Sequence, residues 1–130
     1  MDSTVFIVCI GLSSILAIVA VGVIVWYFHQ NPLIEICGDS MFPTLKDGEL
    51  YKGIRYDRTF TPIVGAIYVF KPPSGDKKYV IKRLTHYDEK SKKCYFVGDN
   101  LGNSFDSRDY GWVSVDNIVA MLCRKVGKNK

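Results

Sequence analysis

The chain has 130 residues, 48% of them hydrophobic and 23% charged, and its 17 basic and 13 acidic side chains leave a formal net charge of +4. That length allows one substantial domain and little else, and the composition excludes a disordered chain. The small positive excess gives no case for nucleic-acid binding by bulk charge, and a plain soluble globule is excluded because Asp2 is the only charged residue before Glu35.

Residues 5–28 (VFIVCIGLSSILAIVAVGVIVWYF) form an unbroken run of 24 without charge or proline. As a helix this run spans about 36 Å, against a hydrocarbon core of roughly 30 Å. Trp26 and Tyr27 lie at its end, where amphipathic rings favour the headgroup region. So long a run without a polar face is not the pattern of a core helix. A cleaved signal peptide has a basic start and a small-residue exit, whereas this segment starts Met-Asp-Ser-Thr and ends Trp-Tyr-Phe-His. The sequence predicts an uncleaved single-pass anchor over residues 1–30, followed by a separate domain over 31–130. The flanking charges are few and lean slightly against an external domain.

From Asn31 onward the chain reads as short strands broken by turns. Residues 33–36, 66–70, 79–85, 94–97, 112–115 and 118–123 are β-branched, aromatic or alternating. Their spacing predicts a mainly β domain, a small sandwich or barrel. Cys9, Cys37, Cys94 and Cys123 are scattered and the histidines are His29 and His86, so no zinc-ligand spacing exists. A Cys94–Cys123 disulfide and free thiols both remain open. The basic residues 124–130 read as a frayed solubilising end or as a contact for anionic headgroups.

Three segments carry unusual residue choices. In Cys37-Gly38-Asp39-Ser40-Met41-Phe42-Pro43-Thr44-Leu45, a turn composition is followed at once by apolar residues. That places Ser40 at the edge of a hydrophobic surface; alone, the segment is also an ordinary turn. In Tyr79-Val80-Ile81-Lys82-Arg83-Leu84, strand parity groups Lys82 with Val80 and Leu84. A lysine between apolar neighbours is desolvated, which favours the neutral amine, and a neutral amine is a base for a serine hydroxyl. Each pKa unit of such depression costs about 1.4 kcal/mol. The alternative is a snorkelling lysine on an edge strand. Residues 98–111 (GDNLGNSFDSRDYG) read as a solvated loop, or as a rigid frame if Asp106 pairs with Arg108 and Asp99 with Arg83. In such a frame Ser104 can hydrogen-bond the lysine amine.

GDSMFPTL, then YVIKRL, then GDNLGNSFDSRDYG, in that order behind a membrane anchor, resembles the type I signal peptidase family, the Ser/Lys serine peptidases of bacterial and mitochondrial inner membranes. A glycine-led strand from Gly65 sits between the first two segments, as in the family. The resemblance implies Ser40 as nucleophile, Lys82 as general base and the Ser40 backbone N–H as part of the oxyanion hole. It implies that Ser104 orients Lys82 and that Asp106 and Arg108 hold the last segment. It also implies that Met41 and Ile81, with Ile36 and Leu45 less directly, line shallow pockets for small substrate side chains. No cofactor or metal is implied. The implied partners are membrane-tethered precursors carrying signal peptides, the lipid bilayer and an unidentified partner subunit, with the domain on the outer face.

Two positions depart from the family pattern. Gly38 stands where some members have a serine whose hydroxyl adds to the oxyanion hole, and Ala66 follows Gly65 where an aspartate is common. Only fifteen residues separate Lys82 from Gly98, so the large inserted domain of some members is absent. Three rival readings use the same residues: a Ser-His-Asp triad through His86, a Ser/Lys self-cleaving protein, and a catalytically silent module that holds signal sequences.

Overall fold

The computed structural model describes residues 2–128. They form two compact units that divide after Gln30. The first is the helix α1 (Ser3–Gln30), which buries none of its residues. Among the described residues it is the one helix long and apolar enough to cross a membrane.

The second unit is built on seven strands: β1 (Leu33–Glu35), β2 (Glu49–Arg55), β3 (Ile67–Phe70), β4 (Val80–Asp88), β5 (Lys93–Val97), β6 (Val113–Ser114) and β7 (Ile118–Lys128). They lie in one antiparallel sheet ordered β1-β2-β7-β3-β4-β5-β6. Register shifts interrupt β2–β7, β3–β7 and β4–β5. Such bulges bend and twist a strand locally, and they let a single sheet curl around its own core. The predicted small β domain is thus a curled sheet.

The main core joins Tyr68, Phe70, Leu84, Cys94, Phe96, Val113, Val115 and Ile118. Phe70 and Phe96 stack with ring centroids 4.1 Å apart. A smaller cluster of Ile36, Met41 and Leu45 packs with Ile67, Ile81 and Leu122. Alternation on β4 buries Lys82 and Leu84 and leaves Arg83 only partly covered. The register shift between Leu84 and His86 ends that parity, and His86 is exposed.

Two elements differ from the sequence expectation. Strand β2 was not expected, because Lys52 and Gly53 interrupt its apolar residues. A side chain at Gly53 would meet Ile34 Cδ1 at 2.6 Å and Met121 O at 3.3 Å, so glycine there permits the close approach of neighbouring strands. The basic end is not frayed as far as Lys128. It continues β7 along β2, and Lys125 Nζ lies 2.7 Å from the buried Glu49 carboxylate. That bond, outweighing the cost of burial, holds the Glu49 carboxyl below its ordinary range. Asn129 and Lys130 lie outside the described residues.

The loop after β5 is a rigid frame around Asp106, which is fully buried. Its carboxylate accepts two bonds from the Arg108 guanidinium, both 2.9 Å. It also accepts from Gly98 N–H at 2.9 Å and from Ser104 Oγ at 2.7 Å. Asp106 further caps the short helix α2 (Ser107–Tyr110) in a reciprocal capping box with Asp109. Burial alone raises the Asp106 pKa, but the bonds from Arg108, Gly98 and Ser104 outweigh it and hold the carboxyl far below the usual carboxylate range. A carboxyl whose native pKa is depressed stabilises the fold above its unfolded value, about pH 3.9, and loses that contribution as pH falls toward the native value. Asp106→Asn is therefore expected to cost about 2 kcal/mol at neutral pH, a figure reduced by the partial exposure of Arg108. The variant should lose less stability than wild type between about pH 5 and pH 3. Thermal unfolding followed across that range checks both statements.

Candidate active site

The turn between β1 and β2 carries Ser40, and β4 carries Lys82 near its start. Lys82 Nζ and Ser40 Oγ are hydrogen-bonded at 2.6 Å. Lys82 is 5% exposed, too little for hydration to stabilise an ammonium fully. Desolvation lowers its pKa, and the negative charge of Asp106 pulls the other way without cancelling the effect. The pair places a basic nitrogen within proton-transfer distance of a hydroxyl.

Ser40, Met41 and Lys82 line a cleft of about 330 Å³ whose walls also include Ile34, Ile36, Val80 and Ile81. Of the residues expected to form substrate pockets, Met41, Ile81 and Ile36 therefore face this cleft. Leu45 does not line it. It is buried in the small core cluster with Ile36 and Met41, and it supports the cleft from within.

The Ser40 backbone N–H donates to no protein acceptor among the described residues, so it is available to a ligand. The N–H of Gly38 is already committed to Asp47 Oδ1 at 2.8 Å. Gly38 has φ of +88°, a left-handed conformation that favours glycine.

Ser104 differs from its expected position. Its hydroxyl donates to Asp106 and makes no hydrogen bond with Lys82 among the described residues. The buried carboxylate, an acceptor of full negative charge, takes the serine proton in preference to the amine. Gly98 brings these groups together. A side chain there would collide with Ser104 Oγ and come within 2.7 Å of Ser40 O.

Asp99 and Arg83 form the second expected pair, with Nε–Oδ1 at 2.9 Å and Nη2–Oδ2 at 2.7 Å. The Arg83 bond, against the cost of burial, holds the Asp99 carboxyl below its ordinary range. Arg83 also donates to Gly65 O at 2.6 Å, which ties the start of the glycine-led segment to β4.

The sequence reading missed two residues that grip the nucleophile turn. Thr44 Oγ1 donates to Asp99 Oδ2 at 2.6 Å. Asn100 donates to Ser40 O from its main chain at 2.9 Å and to Asp39 O from its side chain at 3.0 Å. Both lie inside the segments that were singled out, but bonds between residues more than fifty positions apart leave no periodic signal.

His86 is exposed, faces the Thr85 hydroxyl at 3.1 Å and packs edge-on against Tyr95; its ring makes no hydrogen bond to Ser40. The cysteines are free. Burial pushes the Cys94 thiol up to about 12, which leaves it inert at neutral pH.

Comparison with known proteins gives the family. The family described as signal peptidase, peptidase S26, matches residues 8–87, a stretch that contains both Ser40 and Lys82. The mitochondrial inner membrane protease subunit 1 of Schizosaccharomyces pombe is 30% identical over 135 aligned positions, covering 85% of this chain and 84% of that protein. A family match over more than half of the residues, and a relative aligned along most of both chains, lead to one conclusion: the chain belongs to the signal peptidase family, peptidase S26.

Proposed function

We propose that the protein is a membrane-anchored serine endopeptidase that removes signal peptides from translocated precursors, with Ser40 as nucleophile and Lys82 as general base. The observation that carries this reading is the 2.6 Å contact between a buried amine and a hydroxyl at the edge of an apolar cleft.

The neutral Lys82 amine takes the Ser40 proton as Oγ attacks the scissile carbonyl carbon. The carbonyl oxygen becomes negative and is held by the Ser40 N–H. As the tetrahedral intermediate collapses, the Lys82 ammonium returns its proton to the leaving amine, and the acyl-enzyme remains. Water, deprotonated by Lys82, then attacks the ester; as this second intermediate collapses, the Lys82 ammonium returns the proton to Ser40 Oγ, the ester C–O bond breaks and the new carboxylate leaves. Water and the chain's own groups carry all of these transfers. Ser104 and Arg108 act behind Lys82, by fixing the Asp106 carboxylate whose charge bears on the amine.

The cleft walls of Ile34, Ile36, Val80 and Ile81 suit small apolar side chains ahead of the cut. The apolar helix places enzyme and tethered substrate in one plane and raises their effective concentration. The relative's name describes that protein as one subunit of a protease, and a partner subunit belongs to this proposal too. So does placement of the domain on the outer face of a bacterial or organellar inner membrane.

Ser40→Ala and Lys82→Ala should each lower presequence cleavage in detergent by about ten-thousandfold or more. Wild-type cleavage by either variant contradicts the dyad. Because burial depresses the Lys82 pKa and only the neutral amine is a base, kcat/KM should rise with pH. It should level off below the ordinary lysine value of about 10.4. A profile that is flat from about pH 6 to pH 9 contradicts catalysis by an amine of this kind.

A further inference from the structure

Asn100 makes two hydrogen bonds to the nucleophile turn, and they act on adjacent peptide planes. Its side-chain amide donates to Asp39 O at 3.0 Å, a carbonyl that also accepts from Phe42 N–H at 3.0 Å. Its main-chain N–H donates to Ser40 O at 2.9 Å. The Asp39–Ser40 peptide is trans, since among the described residues the cis bond is Phe42–Pro43. In a trans peptide the C=O and N–H point in opposite directions across one rigid plane. Holding Asp39 O therefore aims the Ser40 N–H, which has no protein acceptor among the described residues. A bond donated to a carbonyl also polarises its amide and makes the N–H a stronger donor.

We propose that Asn100 is a positioning residue of the oxyanion hole: its side-chain amide, acting through the Asp39 carbonyl, directs and strengthens the Ser40 N–H. The inference rests on the dyad reading above. It is separable from general support of the turn, because other bonds already dock that turn. Thr44 Oγ1 to Asp99, Asp99 N–H to Met41 Sδ at 3.4 Å, and Asn100 N–H to Ser40 O all survive loss of the Asn100 side chain. What is lost is one of the two bonds on the Asp39 carbonyl, the Phe42 N–H remaining as the other, and with it the second direction in which that peptide plane is fixed.

The test uses the full chain in detergent, with steady-state presequence cleavage followed across pH for wild type, Asn100→Ala, Asn100→Asp and Ser40→Ala. Asn100→Asp keeps the side-chain shape and replaces the donor with an acceptor oxygen. Both Asn100 variants are expected to lower kcat about tenfold or more with KM unmoved, and in the uncharged Asn100→Ala the midpoint of the pH profile is expected to stay in place. The inference is overturned if kcat stays within about twofold of wild type, if the loss falls on KM, or if in Asn100→Ala it falls on a displaced pH midpoint. If Asn100→Ala loses its β signature in circular dichroism, Asn100→Asp decides alone. Inactive Ser40→Ala beside fully active Asn100 variants refutes only the role of Asn100; cleavage surviving in Ser40→Ala overturns the dyad and this inference with it.

Discussion

The site depends on one constraint: the Lys82 amine must stay out of water while touching a hydroxyl. An exposed lysine is an ammonium at neutral pH and has no lone pair to offer. Burial removes hydration from the charged form and leaves the neutral form nearly unaffected, so the basic form gains at the expense of fold stability. The curled sheet supplies that burial. Lys82 sits near the start of β4, paired with Tyr68 of β3 and next in parity to the buried Leu84. Asp106 limits the effect, since its negative charge favours the ammonium. The amine is thereby held between two opposed influences, with desolvation the larger.

The rest of the domain serves to bring three distant stretches of chain to that amine. The nucleophile turn, strand β4 and the loop after β5 are joined by charged hydrogen bonds in place of a large apolar core. Arg83 bridges Asp99 and Gly65, and Thr44 reaches the same aspartate. Asp106 gathers Arg108, Gly98 and Ser104. Bidentate guanidinium–carboxylate pairs fix direction as well as distance, which suits a site where a small displacement breaks a proton-transfer contact. Gly98 matters for what it lacks, because Ser104 and the Ser40 carbonyl occupy the space of a side chain.

Much of this was legible in the sequence because it rests on local pattern. The apolar run announces α1, and alternation in Val80-Ile81-Lys82-Arg83-Leu84 announces a strand that groups its lysine with apolar neighbours, leaving burial or snorkelling to the fold. The density of Asp, Arg and Ser near residue 106 is compatible with a solvated loop as well as a bonded frame, and the Asp106–Arg108 and Asp99–Arg83 pairs decide for the frame. What escaped depends on tertiary approach. Strand β2 hides behind Gly53, whose purpose appears only when Ile34 and Met121 are packed around it. The end of β7 looks like a solubilising tail until Lys125 meets buried Glu49. Ser104 was expected at the lysine and is held by a stronger acceptor two residues along. Leu45 was expected at the cleft and lies beneath it. The inward parity of Lys82 extends on paper to His86, but the register shift after Leu84 breaks it.

Membership in the signal peptidase family gives this small domain its context, while the chemistry must be carried by the state of one amine. The measurement that reaches it most directly is titration of Lys82 itself, with the chain labelled at lysine 13Cε and 15Nζ and the signal assigned by Lys82→Arg. The account predicts a transition clearly below that of the exposed lysines, moving when Asp106 is replaced by Asn. A Lys82 signal that titrates together with the exposed lysines, or above them, contradicts it.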